Sequence, residues 1–590
     1  MSWDYSWSKA RKDLIAGATV AAISLPQGMA YALIAGVDPR FGLYSAIVVT
    51  AVASIFGSSS QLINGPTNAI SLVVFSAIAF LDPEARFDAY QATFLLAVMV
   101  GVIQILIAVF KLGDLTRYIS ESVVIGFMAG AGFLVALGQV GNLLGLKERG
   151  TGDQHVLLRF WLTVSGGGTP SRYALTIGIG VIVLAVALRK IVRRYHLPQL
   201  DMLLALVAMA WVAAHYGWSL PAAGGKTLMP VIGAVPASLP RPHIPQIHFW
   251  WVRQMATGSL AIALLGLVEA LAIAKSIAID TRQTLDYNRQ CMAEGLANLT
   301  GGFFQALPGS GSLTRSAINY QSGAVSRFSG VVAAATVAVV VLLLAPMARF
   351  VPKAALAGLL MITAVRLVDW KRLRYAVRAS RYDAILVMAT AFSAIFIGVE
   401  TAIFIGVALS ILLFVPRAAR LRGTELVVTR ERVVRERAAD DPLCSAIILY
   451  DMEGEVFFGA GSEIDRCFDW LSKRARDGGI PCIVLRLKQS RNPDMVFIER
   501  LERFVRDMQQ DGRTVLLCGV RADLAHAMAS AGFGNWFPEN SIFLEEQKLY
   551  SATLKAVRHA YELVKDTTCV HCAERRNCES NGDGSLYYLV

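Results

Sequence analysis

Asn64-Gly65-Pro66-Thr67-Asn68-Ala69-Ile70 and Gly311-Ser312-Leu313-Thr314-Arg315-Ser316-Ala317 each open an apolar run that stops short of span length, near Phe80 and Gln321. A hydrocarbon core of about 30 Å takes about 20 residues of helix. Each run therefore reads as a half-span that starts in mid-membrane, with the Gly, Pro, Ser, Thr and Asn of helix starts. A helix beginning there leaves its first N–H groups without partners. In hydrocarbon each would cost several kcal/mol, so the ends must face protein or a water-filled cavity. Each N-terminus presents about half a positive charge. Two that face one another make an anion site of about +1 before any side chain is counted.

Working outward, twelve stretches of span length lie near 14–36, 39–57, 89–110, 120–144, 173–192, 198–216, 257–279, 288–306, 325–345, 351–367, 382–398 and 400–415. With the half-spans they make fourteen elements, an α-helical polytopic membrane protein. Lys9, Arg11 and Lys12 precede the first span, and basic clusters follow elements 6 (Arg189, Lys190, Arg193, Arg194), 12 (Arg366, Lys371, Arg372, Arg374) and 14 (Arg417, Arg420, Arg422). The loop with Asp82, Glu84 and Asp88 after element 3 is acidic. The positive-inside rule is then satisfied with both termini cytoplasmic, and the expected location is the cell (inner) membrane, multi-pass. The start of the chain lacks a cleavable signal: its first apolar stretch is too long for one and should stay as span 1.

Two short elements at places three and ten suggest seven plus seven. Arg117-Tyr118-Ile119 opens a span that reaches Gly126, and Arg349-Phe350-Val351 opens one that reaches Gly358, a constant offset of 232 residues. A unit with an odd number of spans, repeated once, has inverted topology, and interrupted segments at matching places point to a transporter's binding site.

Only 17% of the 590 residues are charged, against about 25% in soluble chains. The net charge of +12 falls to Lys and Arg that flank spans, and no nucleic-acid motif accompanies it. Domain limits are expected at 1–422 (transmembrane), 423–566 (cytoplasmic α/β) and 567–590 (tail). The middle segment alternates strand candidates at 425–430, 446–451, 482–488, 514–519 and 541–544 with helix candidates at 462–476, 493–510, 522–531 and 547–564. Cys291, Cys444, Cys467, Cys482 and Cys518 are scattered and form no disulfide framework. Cys569, Cys572 and Cys578 cluster in the tail, where Cys-x2-Cys spacing could hold a metal, with His571 badly placed for joint chelation.

Ionisable residues inside apolar stretches are functional candidates by default. Glu269 is the sharpest; its bland reading is a structural carboxylate paired with Lys275 or Arg315. Lys275 reads as a snorkelling cation. In span 1, Leu25-Pro26-Gln27-Gly28-Met29-Ala30-Tyr31 holds a proline that breaks backbone pairing. Gln27 and Tyr31, four apart, share one helix face, either for a ligand or for packing.

These residues carry a family resemblance. Leu25-Pro26-Gln27-Gly28-Met29-Ala30-Tyr31-Ala32, Asn64-Gly65-Pro66-Thr67, Gly295-Leu296-Ala297-Asn298 with Gly301-Gly302-Phe303-Phe304, and Gly311-Ser312-Leu313-Thr314-Arg315-Ser316-Ala317-Ile318-Asn319 resemble the SulP sulfate permeases and related anion exchangers. The soluble segment looks like their STAS domain. The resemblance implies two inverted seven-span repeats divided into core and gate, an elevator-like cycle and a homodimer. It implies an anion held between the third and tenth helix starts and spans 1 and 8, lined by Gln27, Tyr31, Thr67, Thr314, Arg315 and Ser316. Asn68 and Leu313, from the two half-span starts, complete the expected substrate-binding set. Glu269 matches the family's acidic position, Glu in proton-coupled plant-type carriers and Asp in sodium-coupled bicarbonate carriers. No catalytic residue, metal or cofactor is expected, and no nucleic-acid partner. The partners are a small inorganic or carboxylate anion, a proton or sodium, membrane lipid and a second copy. In STAS relatives a phosphorylatable Ser follows an Asp at a strand-to-helix turn, but here Met495 follows Asp494.

Moving a dianion inward against 100 mV costs about 4.6 kcal/mol, so uptake needs a coupled cation. Two helix ends and Arg315 sum to about +2, and ionised Glu269 reduces this to about +1. Protonating Glu269 restores about +2. At about 6 Å and an effective dielectric near 20, each unit pair interacts by about 2.8 kcal/mol, so proton and dianion bind cooperatively. The expected function is proton-coupled symport of a sulfate- or dicarboxylate-class anion. The alternatives are sodium-coupled bicarbonate symport and an uncoupled exchanger or channel.

Overall fold

The computed structural model describes residues 6–81, 86–113, 120–150, 154–195, 199–220, 227–233, 235–428, 433–441, 443–546, 551–564 and 587–588. The chain divides into two compact units, Met1–Ser410 and Ile411–Val590. The acidic residues Asp82 and Glu84, the 117–119 half of the sequence echo and the tail cysteines lie outside the described residues.

The helices that correspond to the fourteen elements are α1 (Trp7–Ile34), α2 (Pro39–Phe56), α3 (Asn68–Ala77), α4 (Arg86–Val109), α5 (Glu121–Gly138), α6 (Arg172–Tyr195) and α7 (Asp201–His215), then α8 (Phe249–Thr281), α9 (Tyr287–Phe303), α10 (Leu313–Gln321), α11 (Phe328–Leu344), α12 (Lys353–Leu367), α13 (Arg381–Phe396) and α14 (Val399–Ala418). Eight stretches among the described residues are long and apolar enough to cross a membrane. The half-spans α3 and α10 have only 10 and 9 residues, and each is preceded by a two-residue strand, β1 (Asn64–Gly65) and β2 (Ser310–Gly311). The stretch expected as one span over 120–144 stops at Gly138, breaks at Gln139 and resumes as a separate turn of helix, Val140–Leu144. Pro26 does not interrupt α1, which runs through it: proline removes one N–H, and close packing on both sides holds the turn.

Packing displays the repeat. α1 lies on α11 as α8 lies on α4, and α2 lies on α11 as α9 lies on α4. Likewise α3 meets α8 as α10 meets α1, and α5 meets α13 as α12 meets α6. Exchanging α1–α7 with α8–α14 maps each contact onto its partner, as two seven-helix halves related by a pseudo-two-fold require. The echoed glycines have matching roles. A Cβ on Gly126 of α5 would stand 2.5 Å from the Val387 carbonyl of α13, and one on Gly358 of α12 would stand 2.6 Å from the Gly178 carbonyl of α6. Helices α1–α4 pack with α8–α11, while α5 packs on α13 and α6 on α12.

In the second unit, β3 (Arg422–Val428), β4 (Val433–Glu436), β5 (Ile447–Glu455), β6 (Cys482–Arg486), β7 (Ser490–Arg491), β8 (Thr514–Val520), β9 (Ile542–Leu544) and β10 (Tyr587–Tyr588) alternate with α15 (Gly461–Asp477), α16 (Met495–Gln510), α17 (Ala522–Ser530) and α18 (Ser551–Leu563). The sheet order is β10-β4-β3-β5-β6-β8-β9, with β5, β6, β8 and β9 parallel. Alternate residues face opposite cores. Ile448, Tyr450, Ile483, Leu485, Val515 and Leu517 pack under α15 and α16, whereas Ile447, Leu449, Cys482, Val484, Leu516 and Cys518 pack under α18. At the turn before α16, Asp494 caps the helix by accepting from the Phe497 N–H, and Met495 beside it is exposed.

Candidate anion site

The two half-helices are stapled to each other through their backbones. β1 and β2 pair antiparallel, Asn64 opposite Gly311 and Gly65 opposite Ser310. Thr50 donates its hydroxyl proton to the Asn64 carbonyl at 2.6 Å, and the Ser312 N–H donates to the Ile63 carbonyl at 2.9 Å. Asn298 of α9 brackets Gly309, its Oδ1 accepting at 2.8 Å and its Nδ2 donating at 3.0 Å. Irregular backbone at this depth thus finds its partners inside the protein, as the surrounding hydrocarbon demands. Thr67 caps α3 through the Ile70 N–H, and Ser312 caps α10 through the Arg315 N–H, matching caps on the two half-helices.

Glu269 of α8 is buried beside this staple, and Ser310 donates its hydroxyl to the carboxylate at 2.7 Å. The Thr67 hydroxyl also approaches it, and Arg315 acts on it electrostatically. Arg315 is fully buried (0% exposed); its Nη2 donates to the Pro66 carbonyl at 2.8 Å, while Nε and Nη1 have no partner. The guanidinium lies against Gly65, whose φ of +138° only glycine adopts freely, and a Cβ there would stand 2.8 Å from Nη1. Tyr31 of α1 is buried and feels the charges of Arg315 and Glu269.

Of the expected residues, Tyr31, Thr67, Arg315 and Glu269 therefore form one cluster, with Ser310 as an unforeseen member. Gln27 and Asn68 are buried with spare hydrogen-bonding capacity, at Gln27 Oε1 and at both amide atoms of Asn68. Leu313 and Thr314 are exposed at the first turn of α10. Ser316 turns away, its Oγ accepting from the Ile63 N–H at 2.9 Å. Lys275 is exposed. Two half-helix starts, one buried guanidinium with free N–H groups and the unpartnered Asn68 Nδ2 can stabilise a small oxyanion, and the carboxylate adds a protonatable group.

The sequence reading overlooked Glu294. It lies in α9 at 0% exposure, its Oε1 accepts from Gln290 Nε2 at 3.0 Å, and it acts electrostatically with Glu269. Its signal was the spacing of Gln290, Glu294 and Asn298, four apart on one helix face.

The Sulfate permease family model matches residues 11–390, and the STAS domain model matches residues 442–549. YvdB of Bacillus subtilis (strain 168), whose name assigns it provisionally to sulfate transport, is 32% identical over 77% of this chain and 82% of its own. The sodium-independent sulfate anion transporter of Bos taurus is 30% identical over 71% of each chain. The murine Slc26a9 anion transporter in the inward-facing state superposes with a TM-score of 0.83 at 20% identity, over 94% of this chain and 92% of its own, a likeness of fold. With its half-helix staple, buried Arg315 and C-terminal α/β unit, this chain belongs to the sulfate permease family of multi-pass membrane transporters and carries a STAS domain rather than an enzyme's active site.

Proposed function

We propose that the chain is a proton-coupled symporter of small anions of the sulfate or dicarboxylate class. The observation that carries this reading is the placement of Glu269. It sits between two half-helix starts, held by Ser310 and within the field of a fully buried arginine. An ionised carboxylate there opposes a dianion, and a protonated one does not. Proton and anion binding then reinforce each other, which is the requirement for coupled uptake.

Gln27, Tyr31, Thr67, Asn68, Leu313, Thr314, Arg315 and Ser316 are the proposed anion site. Ser316 acts through the backbone it holds, and Leu313 and Thr314 face the open side. The core carries this site past the gate in an elevator-like movement, in a homodimer in the cell membrane with both termini cytoplasmic. The sulfate-transport names of two relatives support the substrate class, and the sodium-independent name of one supports a proton as the coupled ion.

The test is sulfate uptake into proteoliposomes under an imposed proton gradient. Glu269→Gln should lose concentrative uptake by tenfold or more while keeping sulfate exchange. Undiminished pH-driven accumulation in the variant would refute the coupling role.

A further inference from the structure

Glu294 is the buried titratable group that the anion site leaves without a task. It stands in a file of polar side chains on one face of α9: Gln290, Glu294 and Asn298 are 2%, 0% and 0% exposed. At one end the file meets surface. Arg282, Asp286 and Arg289 are exposed, and Gln283 bonds the turn before β1, accepting from the Ser60 N–H at 3.2 Å and donating to Gln61 at 3.3 Å. Gln290 accepts from the Ser58 and Ser59 N–H groups at 2.9 and 3.3 Å and donates to Glu294. At the other end Asn64 lies beside Glu294, and its Nδ2 and the Glu294 Oε2 have no other partner. Beyond Asn64 is the β1–β2 staple, where Ser310 holds Glu269.

The groups facing Glu294 are neutral amides from α9 (Gln290), the β1 segment (Asn64) and, one turn further along, Asn298 with Gln104 of α4, together with the Glu269 carboxyl of α8. Among the described residues no Lys, Arg or His pairs with it. Buried charges are paired, bind a metal, or give up their charge. Glu294 has no counter-charge, and its one charged neighbour is another carboxyl. Two carboxyls that interact share protons as a pair rather than titrating separately.

We infer that Glu294 is a second proton carrier, linking the Gln290 end of the file to Glu269. This rests on the proton-coupled reading above. A hydronium that enters from the exposed end past Gln290 as far as the unpartnered Glu294 Oε2 gives its proton to that carboxylate, leaving water. The Glu294 acid then gives that proton to the Glu269 carboxylate and is left ionised until the next proton arrives. On the proposed reading the anion enters past Leu313 and Thr314, which are exposed, whereas the polar file leads to Glu294 from the end of α9 marked by Arg282 and Arg289. Anion and proton therefore reach Glu269 by different routes, and a bound anion does not block the proton.

The experiment compares the full-length wild type, Glu294→Gln and Glu294→Asp in proteoliposomes with radiolabelled sulfate and an internal pH indicator. Glu294→Gln is expected to keep sulfate exchange at symmetric pH within about twofold and to lose sulfate-driven proton flux by tenfold or more. Glu294→Asp is expected to recover most of that flux. Wild-type proton flux in Glu294→Gln overturns the inference. Equal loss of exchange and proton flux also overturns it, in favour of a structural role, as does a sodium dependence at fixed pH that Glu294→Gln abolishes. If Glu294→Gln does not fold, the pH profile of uptake by Glu294→Asp decides: a displaced profile supports the inference and an unchanged one overturns it. Absence of sulfate-driven proton flux in the wild type removes the coupling reading itself and this inference with it, a failure recognisable because it needs no variant.

Discussion

Replacing Gly65 with alanine should damage the anion site by two separable routes. Its φ of +138° is strained for any residue with a Cβ, at about 1–3 kcal/mol. The new methyl would also stand 2.8 Å from Arg315 Nη1, 3.2 Å from Thr50 Oγ1 and 3.3 Å from Arg315 Nη2. Arg315 must then shift and weaken its bond to the Pro66 carbonyl, a charged hydrogen bond worth about 1.5–3 kcal/mol. Gly323 provides the control: its φ is +87°, but no atom lies within 4 Å of where its Cβ would be. Gly323→Ala should therefore carry only the strain, and Gly65→Ala up to about 1.5–3 kcal/mol more. The shifted guanidinium also matters for the ligand. Moving it from about 6 to about 7 Å from a dianion, at an effective dielectric near 20, removes about 0.8 kcal/mol, roughly fourfold in affinity. The assays are thermal unfolding of purified protein and the KM for sulfate uptake. Gly65→Ala should unfold well below Gly323→Ala and show a KM raised about fourfold or more. Equal unfolding temperatures and equal KM values would refute the placement of Arg315 against the staple.

Three other outcomes follow from the same geometry. Arg315→Gln removes about one positive charge from the site, so sulfate KM should rise by at least tenfold, and an unchanged KM would exclude Arg315 from anion recognition. Ser316→Ala loses the acceptor for the Ile63 N–H and should destabilise the protein by about 1–3 kcal/mol in thermal unfolding. Its relative uptake of sulfate, oxalate and chloride should not change; an altered anion preference would mean that Ser316 touches the ligand. In the STAS unit, burial pushes the Cys482 and Cys518 thiols up to about 12, so at pH 8 only about one in ten thousand is thiolate. Neither should react with a thiol reagent at pH 8 until the protein is unfolded, and peptide mapping that finds either labelled in the native state would contradict the core.

The half-helices were legible because their starts combine cap residues with runs too short to span, and the other elements stand near where hydropathy put them, except that the 120–144 stretch breaks at Gln139. Boundaries were less legible. α1 begins at Trp7 and α8 at Phe249, both earlier than the apolar stretches, because these helices continue beyond their apolar stretch as exposed turns with charged residues. β4 escaped notice because Val433 and Val434 stand among Glu431, Arg432, Arg435 and Glu436, a run that looks like a solvated loop until β3 and β10 flank β4. In the site, types and spacing located Glu269, Arg315 and Thr67, whereas side-chain direction belongs to tertiary packing. Nothing in the order Thr314-Arg315-Ser316 says that the first is exposed, the second buried and the third bonded backward to Ile63. Glu294 was overlooked because α9 has a polar first turn, so the glutamate read as part of its end, although it lies among buried neighbours.

The staple between β1 and β2 also bears on how such a site can change its cargo over evolution. Gly65, Asn298 and Ser316 hold backbone, and a substitution at any of them disturbs both half-helices at once. Leu313 and Thr314 are exposed at the first turn of α10. On the proposed reading, in which they face the anion, the frame and the reading surface are separable traits. A library randomised at these two positions should then change anion preference while leaving the staple and its stability intact.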